Sequence, residues 1–258
     1  MTWTERYDRI YCCHYLPQTE KLPRLKEELK RVGIEDSGIL EMRYTIPTRY
    51  DEEIWEKYKD RQLAPTVAYV NICQEIRKVL CEAMYFGYKR ILLLENDVAF
   101  LKDIGEIERL LDTAAKDYDI VQYDKFVLDN GWMKQEWEKR LVEKRINDDY
   151  IDASGTLFTS AACMELSAKG IEEMLKLMSV KICATDVAPL LMKGCKYAVA
   201  VKNMAVQVFY RNSSSTDMVG IEYMHQAYRN SGVDYGLYNV PEGYGFGSAI
   251  LGCCIGNR

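Results

Sequence analysis

The sequence has little of what would assign it to several common classes of protein. It contains two histidines in 258 residues, and no apolar run approaches the ~18 residues that a membrane span needs. Residues 1–8 do not resemble a signal peptide. The formal net charge is −5, which gives no general attraction to nucleic acid or to an anionic membrane. We therefore expect a cytoplasmic protein without a transmembrane segment or a nucleic-acid partner.

Cysteine pairs with the spacing of a metal site are also missing. The chain has nine cysteines, an odd number that argues against a disulfide framework. Cys12-Cys13 and Cys253-Cys254 are adjacent pairs, whereas the paired ligands of zinc sites are separated along the chain. We therefore predict buried and reduced thiols.

The most informative feature that is present is a short apolar run that ends in acids. Residues 91–94 read Ile-Leu-Leu-Leu, and they are followed by Glu95, Asn96 and Asp97. A run this short and apolar is typical of a strand that is buried on both faces. The acids after it would lie at the carboxyl edge of a sheet, where open α/β folds bind their ligands. A solvated turn is the alternative interpretation of the triplet.

Strand-like and helix-like segments alternate along the chain, which predicts an α/β fold with a mainly parallel central sheet flanked by helices. The predicted strands cover residues 8–14, 38–46, 90–95, 98–101, 119–123, 150–159, 197–201 and 205–209. The predicted helices cover residues 20–32, 51–59, 65–86, 104–115, 132–144, 160–177 and 187–192. Residues 211–258 are rich in glycine and tyrosine. We assign residues 1–210 to one catalytic domain and residues 211–258 to an extension that packs on, or extends from, the core.

Three parts of the chain share their order and spacing with a known family. They are the opening strand and helix over residues 10–34, a helix ending at Gly87 that leads to Leu94-Glu95-Asn96-Asp97-Val98, and Gly155 to Ala162 followed by Asp186. Over about residues 8–210 the chain resembles the family 25 glycosyltransferases, which include lipooligosaccharide and collagen galactosyltransferases. The resemblance implies the nucleotide-diphosphosugar transferase fold called GT-A, a Mn²⁺-like cation at the acid triplet, and transfer of a sugar to a hydroxyl.

The chain departs from the family's pattern at three places. Asn96 stands where the family has the middle acid of the triplet. The first strand ends with residues 12–16, Cys-Cys-His-Tyr-Leu, and not with the family's Asn-Leu-Asp. The family's Ser-His pair on the helix before the triplet is replaced by residues 70–74, Val-Asn-Ile-Cys-Gln, where we assign Asn71 to donor binding.

A cation site is predicted at the acid triplet because sugar transfer from a nucleotide diphosphate must neutralise the departing diphosphate. Asp97 is the predicted direct ligand, and Glu95 is expected to contact the cation, a cation-bound water or the ribose of the donor. Oxygen ligands suit Mn²⁺ or Mg²⁺. His225 is a further candidate ligand, since many transferases of the GT-A fold complete the metal shell with a downstream side chain. A place on a helix surface is the alternative for His225.

An isolated aspartate is the candidate base for the acceptor hydroxyl. Asp186 stands among small and apolar neighbours, so partial burial would raise its pKa toward a useful value. A helix N-cap is the alternative for Asp186, and the family's pattern favours a catalytic or acceptor-binding role. Asp152 is the second catalytic candidate. It would bind acceptor hydroxyls, with Gly155 allowing a close approach of the sugar.

The end of the first strand is the predicted site of the donor's nucleotide base. His14 lies near the end of this strand, and Tyr11 and Tyr15 on either side offer rings for stacking on uracil. Ordinary strand packing is the alternative for all three side chains.

Together these residues predict a metal-dependent transferase that moves a sugar from a nucleotide-diphosphosugar, expected to be a UDP-sugar, to a hydroxyl of a glycan or glycoconjugate with inversion. A sugar-phosphate nucleotidyltransferase is one alternative, but it needs a glycine-rich basic loop after the first strand. Residues 14–18 contain no glycine, and no lysine or arginine follows until Lys21. A non-catalytic relative that binds a nucleotide or a glycan is the other alternative, favoured by Asn96 and by the missing Ser-His pair.

Overall fold

The computed structural model of the protein describes residues 1–59, 66–128, 132–208 and 230. Its strands are β1 Arg9–Tyr15, β2 Leu40–Thr45, β3 Arg90–Glu95, β4 Val98–Phe100, β5 Ile120–Gln122, β6 Tyr150–Asp152, β7 Cys163–Ser167, β8 Tyr197–Ala200 and β9 Ala205–Gln207. Its α-helices are α1 Trp3–Arg6, α2 Leu22–Arg31, α3 Arg49–Tyr58, α4 Val67–Tyr85, α5 Ile104–Thr113, α6 Trp132–Glu143, α7 Ala168–Val180 and α8 Ala188–Leu191. Short 3₁₀ turns cover Thr19–Lys21 and Glu35–Ser37.

Seven of the strands form one mixed sheet in the order β2-β1-β3-β7-β5-β8-β6. β1 is parallel to β2 and β3, and β5 is parallel to β8. β7 is antiparallel to both β3 and β5, and β6 is antiparallel to β8. Within this sheet only β6 and β7 therefore oppose the common direction, so the predicted α/β class with a mainly parallel sheet is confirmed. β4 and β9 form a separate antiparallel pair.

Helices cover both faces of the sheet because alternate side chains of each strand point to opposite faces. On β1, Ile10 and Cys12 enter one hydrophobic core, and Tyr11 and Cys13 enter the other. Residues of α2 and α5 complete the first core, and residues of α4, α6 and α7 complete the second. The protein thus has a helical layer on each face, and the edges of the sheet are left for binding.

Local signals fix the ends of several helices near their predicted positions. Gly33 follows α2 with φ of +72°, and the N–H of Ile34 donates to the carbonyl of Leu29 over 2.9 Å. This closure of a helix by a left-handed residue favours glycine. At the start of α3, the Thr48 hydroxyl accepts from the N–H of Asp51, whose carboxylate accepts from the N–H of Thr48.

The predicted helix over residues 160–177 is wrong in its first part. Residues Cys163–Ser167 form β7, which lies between β3 and β5, and helix α7 begins only at Ala168. Residues 163–166 are buried, as expected for a strand between two others and two helical layers. Here the pairing with two strands overrides the helix propensity of Met, Glu and Leu. The predicted strand over 150–159 is also too long, because β6 ends at Asp152.

Three further predictions concern a membrane span, the state of the cysteines and the boundary of the catalytic domain. In the ranges that the structure describes, no helix is long and apolar enough to cross a membrane. The same ranges contain seven cysteines, all free thiols, and five of them are buried. The boundary between residues 210 and 211 stays a prediction, because residues 209–229 and 231–258 lie outside the described ranges.

Candidate functional site

The candidate site lies at one edge of the sheet, where the carboxyl ends of β1, β3 and β5 meet the amino end of β7. These strands are consecutive neighbours, and β7 runs opposite to the others. Glu95 is the last residue of β3, and Asp97 directly precedes β4. Asp124 follows β5, and Asp186 reaches this edge from the loop between α7 and α8. Four carboxyl groups therefore meet at one edge.

Asp97 is held by side chains from two distant parts of the chain. Lys21, at the end of the 3₁₀ turn Thr19–Lys21, places its Nζ 2.9 Å from Asp97 Oδ2. Gln207 of β9 donates from Nε2 to the same oxygen over 3.3 Å. Asp97 Oδ1 is buried and has no hydrogen-bond partner within the described ranges. One carboxylate oxygen is therefore paired with an ammonium group, while the other is left to a further ligand.

Asn96 joins the end of β3 to the end of β1. Its Nδ2 donates to Gln18 Oε1 over 3.0 Å and lies 3.3 Å from His14 Nδ1, while its Oδ1 accepts from Lys21 Nζ over 3.3 Å. His14 Nε2 is buried and has no partner in the described part of the chain. Burial and the nearby ammonium of Lys21 lower the pKa of His14, which favours the neutral form of its ring.

Glu95 experiences the combined charge of the other acids. Its pKa is raised well above the usual value, first by burial and then by Asp97, Asp124 and Asp186. Lys21 acts in the opposite direction. A carboxyl group in such surroundings takes up a proton or a cation more readily than an exposed glutamate does.

Ser160 stands between Asp124 and Asp186. Its hydroxyl donates to Asp124 Oδ2, and its N–H donates to Asp186 Oδ2 over 3.3 Å. Its φ is +88°, in the left-handed region that few residues other than glycine adopt. Asp124 also accepts from the N–H groups of Ala162 and Cys163 over 3.2 and 2.9 Å. The backbone before β7 is therefore shaped around the two aspartates.

Burial moves the pKa of both aspartates toward neutrality. The pKa of Asp124 is raised to about 7, although hydrogen bonds from Ser160 and from backbone N–H groups oppose the shift. The pKa of Asp186 is raised to about 6 by burial, again against hydrogen bonds from the backbone. The residue that caps α8 is Val187, so Asp186 is not the N-cap of that helix. A carboxyl group with such a pKa can exchange a proton near neutral pH.

Two residues that the sequence assigns to donor binding make hydrogen bonds within the fold. Tyr11 is fully buried, and its hydroxyl donates to Glu82 of α4 over 2.8 Å. Asn71 donates from Nδ2 to the carbonyl of Ile46 and to Asp51 Oδ2, and its Oδ1 accepts from a hydroxyl at the end of β2. These contacts join β1, β2, α3 and α4. They engage the hydroxyl of Tyr11 and the amide of Asn71 within the fold, and the donor contacts of both residues stay predictions.

The three remaining predicted site residues are Tyr15, Asp152 and His225, and the two that the structure describes, Tyr15 and Asp152, do not lie together. Tyr15 is half-buried at the carboxyl end of β1, on the edge where the acids meet. Asp152 pairs near the amino end of β8, and its carboxylate accepts a hydrogen bond from Tyr118, which precedes β5. The amino ends of β5 and β8 lie at the opposite edge of the sheet from the acids. Asp152 therefore lies away from Asp186, whereas both residues are predicted from the sequence to lie in one catalytic site. His225 lies outside the described residues.

The oxygen atoms at this edge fit a divalent cation that is shared with a diphosphate. Asp97 Oδ1 is buried without a partner among the described residues, and neighbouring acids raise the pKa of Glu95. Mg²⁺ commonly binds through one or two carboxylates together with substrate phosphates. Within the described ranges no group of three His, Cys, Asp or Glu side chains could hold a metal ion by itself. A cation at Asp97 would therefore depend on oxygens of the donor and would share the carboxylate with Lys21.

Sequence reasoning missed four residues of the site: Lys21, Asp124, Ser160 and Gln207. Asp124 carries the same signal as Glu95, since an acid follows a short apolar strand in both cases. The other three have no such signal. Lys21 and Gln207 reach the acids only through the packing of α2 and β9, and Ser160 falls in the stretch that was predicted to be a helix.

Comparisons with known proteins find similar structures but no similar sequence. No protein-family model and no curated protein sequence matches the chain. The crystal structure of A197 from STIV matches with 12% identity, a TM-score of 0.36, and coverage of 81% of this chain and 88% of that chain. Apo mouse xyloside xylosyltransferase 1 matches with 10% identity, a TM-score of 0.36, and coverage of 72% and 74%.

A third solved structure is the galactosyltransferase LgtC in complex with donor and acceptor sugar analogues. It matches with 10% identity and a TM-score of 0.33, covering 73% of this chain and 72% of that chain. Identities and TM-scores of this size assign no function to the chain.

Proposed function

We propose that this protein is a glycosyltransferase that moves a sugar from a nucleoside diphosphate sugar to a hydroxyl of a glycan or glycoconjugate. The observation that carries the proposal is the meeting of Glu95, Asp97, Asp124 and Asp186 at one edge of a mainly parallel sheet. In folds of this kind ligands bind at the carboxyl ends of the strands. A UDP-sugar donor, the inverting outcome and membership of family 25 are the finer parts of the proposal. The family comes from the sequence resemblance, and inversion is tied to the candidate base Asp186.

Asp186 is the proposed base for the acceptor hydroxyl. The hydroxyl oxygen would attack the anomeric carbon of the donor while the bond from that carbon to the diphosphate oxygen breaks. The electron pair of the broken bond leaves with the nucleoside diphosphate, and the hydroxyl proton passes to the Asp186 carboxylate. A pKa of about 6 leaves Asp186 mostly ionised at pH 7 and still basic enough for this transfer.

The leaving group of the reaction is the nucleoside diphosphate. Lys21 brings a positive charge beside Asp97, and we assign it to the donor's phosphates together with His14, whose Nε2 has no partner within the described ranges. Asp97 and Glu95 would hold Mn²⁺ or Mg²⁺. When bound, such a cation would act as a Lewis acid on the diphosphate.

Calorimetric titration with UDP tests the proposal. We expect UDP to bind wild type in the presence of Mn²⁺, and we expect Asp97→Asn to weaken that binding by at least about tenfold, because the variant loses the carboxylate that would hold the cation shared with the diphosphate. Asp112→Asn on the exposed face of α5 is the matched control and should bind like wild type. Wild type that fails to bind UDP with or without Mn²⁺ would overturn the proposal.

A non-catalytic protein that binds a nucleotide or a glycan is the second candidate. The Lys21–Asp97 ion pair favours it, since this pair occupies one oxygen of the predicted metal ligand. Hydrolysis or transfer of a UDP-sugar separates the two candidates. Turnover that disappears in Asp186→Asn supports the enzyme, and UDP binding without turnover on any donor supports the binding protein.

A further inference from the structure

A large open cavity lies between α3, the first half of α4 and the end of α7. Its volume is about 660 Å³, and residues Met178 to Ile182 at the end of α7 form one wall. This volume is within the range of about 300–1,000 Å³ that is usual for small-molecule sites. None of the residues described above as part of the candidate site lines this cavity.

The lining of the cavity is basic and aromatic, although the whole chain is acidic. Lys57, Arg77 and Lys181 line it, and the one acid among the lining residues, Glu53, pairs with Arg49 of its own helix at 3.1 Å. No ion pair engages Arg77 or Lys181 within the described ranges, and Lys57 Nζ stands 5.1 Å from the ring centroid of Tyr58. The cavity therefore has three positive charges and no uncompensated negative one among these residues.

Tyrosines give the same cavity surfaces for a sugar ring. Tyr50 and Tyr58 both line it, and Tyr50 is 60% exposed although it is large and aromatic. A tyrosine offers an apolar ring face together with a hydroxyl, which suits a ligand that has both C–H faces and hydroxyl groups. A saccharide with an anionic group matches this combination of rings and cations.

The cavity is connected to the acids through Cys73 of α4. Cys73 lines the cavity, and its Sγ donates to the carbonyl of Cys183 at 3.5 Å, three residues before Asp186. The pKa of the Cys73 thiol is raised by burial and also by the charges of Asp186 and Glu95. Cys73 therefore lies between the cavity and the segment from Cys183 to Asp186 that carries the proposed base.

We propose that this cavity binds the acceptor and that the acceptor is a saccharide carrying a carboxylate or a phosphate group. The anionic group is held by Lys57, Arg77 and Lys181, a ring stacks on Tyr50 or Tyr58, and the reacting hydroxyl extends toward Asp186. This inference rests on the proposed glycosyltransferase function, whose donor site at Asp97 it leaves unchanged.

Calorimetric titration in the presence of saturating UDP and Mn²⁺ tests the inference. The probes are a disaccharide ending in glucuronic acid, the same disaccharide ending in glucose, and glucose 6-phosphate. The variant is the triple change Lys57→Gln, Arg77→Gln and Lys181→Gln, which alters exposed side chains only. The control removes the same number of charges from exposed positions outside the cavity, as Lys26→Gln, Lys30→Gln and Lys139→Gln.

We expect wild type and the control to bind an acidic probe at least about tenfold more tightly than the neutral disaccharide, and the triple variant to lose this preference. Preference for glucuronic acid or for the phosphate identifies the anionic group. Equal binding of acidic and neutral probes by wild type, or an unchanged preference in the triple variant, overturns the inference. UDP binding without added sugar is measured in parallel, so loss of the donor site is recognised separately from failure of the acceptor site.

Discussion

At Ser160 the backbone takes an unfavourable conformation, and the residue's contacts explain why. Its positive φ turns the hydroxyl toward Asp124 and the N–H toward Asp186. A non-glycine residue in this region costs on the order of 1–3 kcal/mol unless its surroundings compensate. Such conformations are concentrated at functional sites, which agrees with the role proposed for Asp186.

Two substitutions of Ser160 distinguish the contribution of its hydroxyl to stability from the cost of its backbone conformation. Both Ser160→Ala and Ser160→Gly lose the hydrogen bond to buried Asp124, at a cost of about 1–3 kcal/mol. Glycine relieves the positive φ, so Ser160→Gly should be about 1 kcal/mol more stable than Ser160→Ala in urea denaturation. Ser179, within helix α7, is the control, and there alanine should be the more stable of the two substitutions. The same order at both positions would contradict the interpretation.

Asp186→Asn should make the protein more stable and less active than wild type, and the gain in stability should depend on pH. The folded-state pKa of about 6 lies above the usual 3.8, so the stability that this group contributes is present below pH 4 and is lost as pH rises through 6. Asparagine does not ionise, and the variant should gain up to about 3 kcal/mol over wild type between pH 4 and pH 8.

Thermal or urea denaturation at several pH values measures this gain. Transferase activity in the same variant should fall by about 10²-fold or more because the base is lost. Asp112→Asn, at an exposed position on α5, should change neither quantity. A stability difference between Asp186→Asn and wild type that does not change with pH would show that Asp186 does not carry the shifted pKa.

The acids of the site show how far single residues could be predicted from the sequence. The position of Glu95 and Asp97 at the end of a strand could be predicted, because the short apolar run before them is a local pattern. The hydrogen bonds of Tyr11 and Asn71 could not be predicted, because their partners, Glu82 and Asp51, lie far away in the sequence. Side-chain direction and long-range hydrogen bonds are set by tertiary packing, which no local pattern contains.

β7 is the element that holds the middle of the sheet together. Its Glu165 is fully buried, and Arg6 of α1 binds it through Nη2 at 2.7 Å and Nε at 3.0 Å. Arg90 of β3 forms a second ion pair with the same carboxylate, and the hydroxyls of Tyr7 and Tyr123 donate to Oε2 over 2.9 and 2.6 Å. One carboxylate therefore joins α1, β3, β5 and β7.

Glu165→Gln should destabilise the protein strongly. Two arginines would lose their shared counter-charge, and breaking a buried ion pair by removing one partner costs about 3–5 kcal/mol. Glu172→Gln on the exposed face of α7 removes a surface pair with Lys176 and should cost less than about 1 kcal/mol. Urea denaturation of both variants measures the difference. Equal and small losses would mean that the network around Glu165 contributes little.

The same strand explains the largest error of the sequence-based prediction. Residues 163–167 read Cys-Met-Glu-Leu-Ser, which contains three good helix formers and leads into a true helix. Its pairing partners, β3 and β5, are distant in sequence, and the counter-charges of Glu165 come from α1 and β3. By contrast β1, β2 and β3 were located well, because glycine or proline lies near one or both ends of each strand.

Across the whole molecule, the site is assembled from elements on both sides of the sheet. Lys21 comes from the turn before α2, on the side of the first core, and Asp124 and Asp186 approach through the loops around β5, β7 and α8. The ammonium group that pairs with Asp97 therefore comes from a part of the fold that carries none of the four acids. A metal ion that bound Asp97 would add a second charge at the same carboxylate.

Lys21→Met tests this arrangement through the stability of the whole protein. Without a metal, the variant should lose about 3 kcal/mol, because buried Asp97 no longer has its ammonium partner. If Mn²⁺ binds at Asp97, the ion replaces the missing charge, so Mn²⁺ should raise the Tm of Lys21→Met by several degrees more than that of wild type. Lys26→Met, on the exposed face of α2, should respond to Mn²⁺ as wild type does. Equal shifts in all three proteins would place any bound Mn²⁺ away from Asp97, and they would favour Lys21 alone as the cation for the diphosphate.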